Sequence, residues 1–550
     1  MISDRWYKNA VIYCCAIETF LDTDGDGVGD FEGMSRRLDY LQGLGVTAVW
    51  LMPFQPSPRR DHGYDITDYY GVDPRYGSLG DFVAFTHGAN ARGIGVIMDL
   101  VVNHTSDQHP WFRSAREGPD SPFHDWYVWA DRKPPDAEKG IVFPGVQKTT
   151  WTRDARAGKY YFHRFYEFQP DLNFANPEVR TEILKIMGFW TQLGVAGFRL
   201  DAVPFVIALP DPETGKEKPD YELLREFREF VQWRSGNAVL LAEANVTPGE
   251  NMRYFGDDGD RMQMMFNFHL NQHLFLALAT GEAKPLADAI TATRDLPATA
   301  QWALHLRNHD ELDLGRLTEA ERGKVFAAFG PEPEAQLYGR GIRRRLAPML
   351  HGDRRRIELA NSLLFTLPGT PVLRYGDEIG MGDDLSLPER ECARTPMQWS
   401  DLEHGGFTRA RKPTKPVIPE GVYGYRHVNV AAQRRDPESL LNWFERIIRM
   451  RKEVPEIGLG RPRLLRVDDP AVLAMRYDGD AGSVVFLHNL SDRAREISFR
   501  AGPKAAGESL VNLLSEDHSV AGDDGRHVVL LEGYGYRWFR RADADGVMLA

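Results

Sequence analysis

Cysteine is scarce, with three in 550 residues: Cys14, Cys15 and Cys392. An odd number cannot all pair within one chain, and adjacent cysteines with no nearby His or further Cys lack zinc-site spacing. A disulfide scaffold and a structural zinc centre are thereby excluded, and the three read as buried reduced thiols. Positive charge is in deficit, 67 Lys and Arg against 79 Asp and Glu, a net charge of −12 spread along the chain. Nothing extended is available to release counterions from a polyanion, so no nucleic-acid partner is expected. The one basic run, Arg340-Gly341-Ile342-Arg343-Arg344-Arg345, sits amid helical patterning and reads as a solvated or ion-paired face. No apolar run approaches the length of a bilayer span, and the opening Met1-Ile2-Ser3-Asp4-Arg5-Trp6 has neither a basic leader nor an apolar stretch. No membrane partner and a cytoplasmic location are expected. Low-complexity tracts and fixed-period repeats are also missing. What remains, 42% hydrophobic and 27% charged, is the composition of a globular protein with a large core.

Short β-branched apolar runs alternate with longer helical stretches through the first four-fifths of the chain, the pattern of β-α units around a parallel sheet. Strands are expected at residues 11–17, 48–52, 96–102, 197–200, 239–244, 264–268, 303–306 and 371–374. Eight of them predict an α/β fold, a (β/α)8 TIM barrel, over residues 1–104 and 175–456. Residues 35–44 and 177–193 carry apolar positions at helical spacing, the second opening on Pro177 and ending before Gly194. Between the third and fourth strands lie far more residues than one helix needs, and the excess, 105–174, is rich in Trp, Tyr, Phe and His. It reads as a domain inserted over the barrel mouth. A second extended segment, 311–350, follows strand seven as a rim insertion. Beyond residue 456 the pattern changes to short alternating runs punctuated by Gly and Asp, which predicts an antiparallel β-sandwich domain over 457–550.

Reactive groups in such a barrel belong at the C-terminal ends of the strands. Strand three ends in Asp99, Asn103 and His104, strand four in Arg199-Leu200-Asp201, strand five in Glu243-Ala244-Asn245, and strand seven in Asn308-His309-Asp310-Glu311. Three carboxylates on one rim, Asp201, Glu243 and Asp310, suit glycoside chemistry, which needs a nucleophile and an acid/base. Arg199 and Asp201, two residues apart on a strand, face the same way, so the guanidinium would keep that Asp ionised as a nucleophile must be. Glu243 follows Val239-Leu240-Leu241-Ala242, and desolvation there would raise its pKa toward that of a proton donor. Asp22-Thr23-Asp24-Gly25-Asp26-Gly27-Val28-Gly29-Asp30 sets oxygen donors at alternating positions, with a backbone carbonyl available at Val28. This is calcium-loop spacing, although position twelve is Gly33 where an EF-hand has its closing Glu.

Taken together, Asp99-Leu100-Val101-Val102-Asn103-His104, Gly197-Phe198-Arg199-Leu200-Asp201-Ala202, Glu243 after its apolar strand, and Asn308-His309-Asp310 resemble the four sequence regions of the α-amylase family, glycoside hydrolase family 13. Gln169-Pro170-Asp171-Leu172-Asn173 looks like its fifth region, from the inserted domain B. The resemblance covers nearly the whole chain. It implies Asp201 as the nucleophile of a β-glucosyl-enzyme, Glu243 as the acid/base and Asp310 as the transition-state stabiliser. It further implies His104 and His309 as hydrogen-bonding partners of the glucose, Tyr64 as its stacking platform, and Asp65 with Arg394 as a salt-bridged clamp closing the pocket behind the sugar. A structural calcium ion on Asp22, Asp24, Asp26, Val28 and Asp30 is implied. A second ion on Asn103 and Asp171 would lack a carboxylate, because Ala208 stands where the family has Glu. No organic cofactor is implied.

Residues 50–58 (WLMPFQPSP), 103–112 (NHTSDQHPWF), 306–312 (LRNHDEL), 341–350 (GIRRRLAPML) and 375–383 (YGDEIGMGD) resemble the trehalose synthase branch of that family. The implied activity is an intramolecular transglucosylation interconverting maltose and trehalose with side hydrolysis. An α-glucosidase for short α-glucosides, or a transglucosylase with another acceptor, is the alternative, since Pro204-Phe205-Val206-Ile207-Ala208 and Cys14-Cys15-Ala16-Ile17-Glu18 depart from the branch's pattern near the acceptor site. A homo-oligomer is compatible with the sequence. A non-catalytic amylase-like partner is the least favoured reading, because the carboxylates are intact.

Overall fold

A computed structural model describes residues 5–210, 217–480, 482–502 and 506–542; Met1 to Asp4, and Asp211 and Pro212 at the end of the divergent segment after Asp201, lie outside the described residues. Eight parallel strands close into a barrel: β1 (Ile12–Cys15), β2 (Ala48–Leu51), β3 (Gly95–Leu100), β4 (Gly197–Leu200), β5 (Val239–Ala242), β6 (Met264–Phe266), β7 (Gln301–His305) and β8 (Thr370–Arg374). Each pairs with its sequence neighbours, and β8 pairs with β1. The strands are buried on both faces, which is why they read as continuous apolar runs without alternation. Helix Pro177–Gln192 opens with Pro177 in its first turn and Asn176 capping the Glu178 N–H, and the chain leaves it through Gly194 at φ 95°. The expected helix at 35–44 is instead two, Phe31–Arg36 and Leu38–Leu44, with non-helical backbone at Arg37 between them.

Between β3 and helix Pro177–Gln192, three short antiparallel strands, Trp129–Ala130, Tyr160–Phe162 and Trp151–Arg153, form a small sheet. After β7 the rim carries a second one, Leu312–Asp313, Gly341–Ile342 and Gln336–Leu337, with helix Glu319–Phe329 between its first two segments in the chain. The C-terminal region sets a six-stranded antiparallel sheet against the pair Arg495–Phe499 and His527–Leu531, around Val485, Leu487, Ile497, Phe499 and Leu531. All three cysteines are buried and free.

The basic run meets expectation in part. It is ion-paired, Arg340 with Asp313 at 3.5 Å, Arg344 with Asp383 at 3.2 Å and Arg345 with Asp377 at 3.3 Å, but it is not helical: Gly341–Ile342 is a strand, and the arginines after it turn inward. Arg345, fully buried, donates to the carbonyls of Ala393 and Tyr375, and Arg343 to those of Leu387, Glu389 and Leu385. Carbonyls of loops that cross without a sheet need donors, and guanidinium groups supply several each.

Candidate active site

Barrel register builds the site. Asp99 on β3 pairs with Arg199 on β4, and beyond the last strand pairs the ladder continues, Asp201 N to Leu100 O at 3.2 Å and Glu243 N to Leu200 O at 3.1 Å. Asp201 and Glu243 therefore leave adjacent strands at the same height. Asp201, Glu243 and Asp310 line one cavity of about 600 Å³ together with Tyr64 and His104. The three acidic groups that sequence reasoning singled out meet at one rim.

Arg199 is buried beneath them. One guanidinium nitrogen lies 2.8 Å from Asp99 Oδ1 and 2.5 Å from Asp201 Oδ1, and the other 2.6 Å from Glu243 Oε2. It does not line the cavity; its reach to a ligand is through the carboxylates. Arg199 favours the ionised form of Asp201 as expected, but burial opposes it. Burial raises the Asp201 pKa above the ordinary carboxylate range, and the attraction of Arg199, opposed by the nearby Asp99, offsets this only in part. Burial likewise pushes Glu243 up to about 7, against the pull of Arg199 and with help from Asp201 and Asp310. Asp310 goes the other way. Burial would raise it, but the hydrogen bond from His309 and the guanidiniums of Arg390 and Arg394 together hold it well below the usual range. One site thus holds a carboxyl poised to keep its proton near neutrality and another that stays ionised, the division of labour that acid/base chemistry requires.

Tyr64 donates its hydroxyl to Asp99 Oδ2 at 3.0 Å and stacks nearly parallel on His309, ring centroids 5.7 Å apart. His104 donates from Nε2 to the Tyr64 carbonyl at 3.0 Å, which leaves Nδ1 to accept from Asn103. Burial lowers both histidines, His104 to about 4 and His309 to about 3, so both are neutral. His309 is turned toward the Tyr64 hydroxyl at 2.7 Å and Asp310 Oδ2 at 3.1 Å and stands behind the cavity wall. Ala202, directly after Asp201, is held in the left-handed region at φ 51° and presents its N–H to Glu243 Oε2 at 3.3 Å, a strained conformation that couples the two acidic groups.

The expected clamp is wrong in both partners. Asp65 is fully buried away from the cavity, accepting from Ser57 and the N–H groups of Arg60 and Asp61, while Arg394 bonds the His309 carbonyl and Asp310 Oδ1. The pair that does bridge the cavity wall is Asp61 with Arg390, 3.3 Å apart, Arg390 also donating to Asp310 Oδ1 at 2.7 Å and Gln169 bonding Asp61 from the inserted segment. Each missed residue lies four positions before the one chosen. Asp65 and Arg394 stand in more distinctive motifs, and an ion pair across 329 residues leaves no local signal. Asp61→Asn is expected to raise KM and lower kcat/KM for a short α-glucoside about 100-fold, whereas Asp65→Asn lowers thermal stability and changes KM little. Steady-state kinetics beside a melting curve separates the two.

Both insertions stand at the barrel mouth as expected; the contact between them was not foreseen. Arg340 donates to the Val142 carbonyl at 3.0 Å and lies 3.5 Å from Asp313, tying the rim insertion to the inserted domain, while Phe143 packs against Tyr338. Phe165, Phe205, Asn245 and Arg316 line the cavity on the side away from Asp61.

In the loop after β1, Asp22, Asp24 and Asp30 bring carboxylate oxygens within 4.8 Å of one another. Asp26, which accepts the Val28 N–H, does not stand in that group. Oxygens on opposite sides of a calcium ion are about 4.8 Å apart at bond lengths of about 2.4 Å, so the three fit that ion. At the second position Asp171 is buried and accepts the Arg164 N–H at 2.9 Å, and burial pushes its pKa up to about 7. Among the described residues Asp171 belongs to no group of three or more acidic, His or Cys side chains close enough to share an ion.

The family described as Alpha amylase, catalytic domain matches residues 15–327 and 343–460, and Sucrose hydrolase-like, C-terminal domain matches 482–540. The chain belongs to the α-amylase family, glycoside hydrolase family 13. It is 43% identical to a trehalose synthase of Thermus thermophilus over 99% of its length, spanning 56% of that longer protein. It is 41% identical to a trehalose synthase of Pimelobacter sp., with 98% of this chain and 96% of that one covered. Among solved structures, a trehalulose synthase variant superposes with TM-score 0.76 at 26% identity, covering 98% of this chain and all of the other. Within its family the chain is an enzyme of the glucosyl transferase and isomerase kind. Among the described residues no helix is long and apolar enough to cross a membrane.

Proposed function

We propose that this enzyme interconverts maltose and trehalose by retaining, intramolecular glucosyl transfer. The observation that carries the reading is the split among three carboxyls on one cavity: Glu243 with a pKa near 7, Asp310 held ionised, and Asp201 bonded to Arg199. Glu243 protonates the glycosidic oxygen, Asp201 attacks the anomeric carbon, and a β-glucosyl-enzyme forms as the first glucose leaves. The ionised Asp310 faces the positive charge that develops on the ring. Asp61 and Arg390 end the pocket behind the sugar, which favours a terminal glucose over internal attack on a polymer. The freed glucose lies beneath the Arg340 roof. If it turns and presents its anomeric hydroxyl, Glu243, now the base, completes transfer and trehalose results; entry of water gives glucose. The relatives named trehalose synthase support this choice of substrates.

Purified enzyme supplied with maltose is expected to yield trehalose as the main product, and with trehalose to yield maltose, with glucose minor in both. Glucose alone, with no non-reducing disaccharide, overturns the proposal in favour of an α-glucosidase.

The proposal extends to a structural calcium ion held by Asp22, Asp24 and Asp30. It would tie the β1 loop together and take no part in the chemistry. At calcium a hundredfold above Kd, binding to the folded state alone contributes about 2.7 kcal/mol. A chelator is therefore expected to lower Tm by a few degrees in the wild type, and Asp22→Asn with Asp30→Asn to abolish that difference, as scanning calorimetry would show.

A further inference from the structure

At the end of the barrel opposite the active site a second cavity, of about 250 Å³, opens where the N-terminal turn, the approach to β7 and the 457–462 connector meet. Its wall carries four cations, Arg5, Lys8, Arg294 and Arg461. In a protein of net charge −12 this is a local reversal of sign. Arg5, Arg294 and Arg461 are exposed around the mouth, whereas Lys8 is only 8% exposed. The Lys8 backbone is anchored, its carbonyl accepting from Gln301 Nε2 at 3.3 Å and Thr370 Oγ1 at 3.4 Å. Its ammonium has no hydrogen-bond or ion-pair partner among the described residues. The carboxylate of Asp295, four-fifths exposed, stands 3.9 Å from Arg461 and 4.0 Å from Arg294, a screened surface contact that contributes little.

An ammonium on a largely buried side chain, facing like charges with no carboxylate beside it, is costly unless an anion joins it. We propose that this cavity binds a phosphate group, free or as a small phosphomonoester. Guanidinium groups grip phosphate oxygens in pairs and an ammonium adds a point charge, the mixture present here. The volume is that of about eight liquid waters, more than a phosphate occupies. Trp302, Leu296, Pro297 and Ile457 supply an apolar wall for an organic remainder. Burial, and then Arg5 and Arg461, lower the Lys8 pKa to about 8, which a bound anion would raise again.

Titration calorimetry of the whole enzyme at low ionic strength tests this with three probes: inorganic phosphate, glucose 6-phosphate and glucose. Saturable one-to-one binding of the two phosphates is expected, weakened at least tenfold by Lys8→Met and several-fold by Arg461→Ser, whose exposed position leaves folding intact. Glucose should show no heat that depends on Lys8. Tighter binding of glucose 6-phosphate than of phosphate identifies a phosphomonoester site, and equal binding a free phosphate site. Absence of saturable binding by either, or binding that both substitutions leave unchanged, overturns the inference. Neither result bears on the maltose products.

Discussion

Replacing Asp201 by alanine is expected to lower kcat on maltose by about 10⁵-fold, because a nucleophile that forms a covalent intermediate has no substitute among its neighbours. Glu243 and Asp310 would remain on the cavity wall, and a glucoside would still bind. The test has a signature beyond lost activity. Alanine leaves a small hollow beside the anomeric carbon and removes a buried negative charge, so added azide should restore a measurable fraction of turnover and yield a β-glucosyl azide. If the Asp201 variant keeps its activity, or if azide returns the α-anomer, the assignment of the nucleophile fails. Stability should move less than activity. Asp201 is one of three carboxylates on Arg199, and Asp99 and Glu243 continue to satisfy the guanidinium.

The barrel and the trio of acidic groups were legible because both follow from local chain chemistry. A strand covered on both faces must be apolar throughout, and the polar residue that ends it must stand at the rim; Gly197–Leu200 followed by Asp201 shows both. Residues that depend on how loops cross were not legible. Arg390 closes the pocket because a turn after β8 happens to face Asp61, and its neighbour Arg394 carries the same charge one short turn further on. Nothing in their own sequence tells the two apart. For Arg343 and Arg345 the same reason hid half the answer: ion pairing was legible in the cluster, but the loop carbonyls that claim these guanidiniums were not. The divergent segment after Asp201 is intermediate. Phe205 within it was noted as a departure near the acceptor, and in the structure it lines the cavity.

Glu243→Gln is the second large effect, about 10³-fold in kcat on maltose, the scale on which general acid catalysis acts. The amide keeps the shape of the side chain and cannot deliver a proton. α-Glucosyl fluoride, whose leaving group needs no proton, should be cleaved by the variant to the covalent intermediate far better than maltose is, which separates the donor from a merely structural role. The pH profile of the wild type carries the same assignment. The acid must be protonated, so kcat/KM is expected to fall as pH rises through about 7, where Glu243 loses its proton. The nucleophile must be ionised, so activity falls again at low pH, with that limb lying above the ordinary Asp value because burial raises Asp201. The two groups share Arg199 and influence one another, so the limbs belong to the set of groups. A narrow bell on the acidic side of neutrality is the expected curve. In Glu243→Gln with α-glucosyl fluoride the basic limb should vanish while the acidic limb stays. A basic limb that survives the substitution would assign it to another group and remove Glu243 from the role of proton donor.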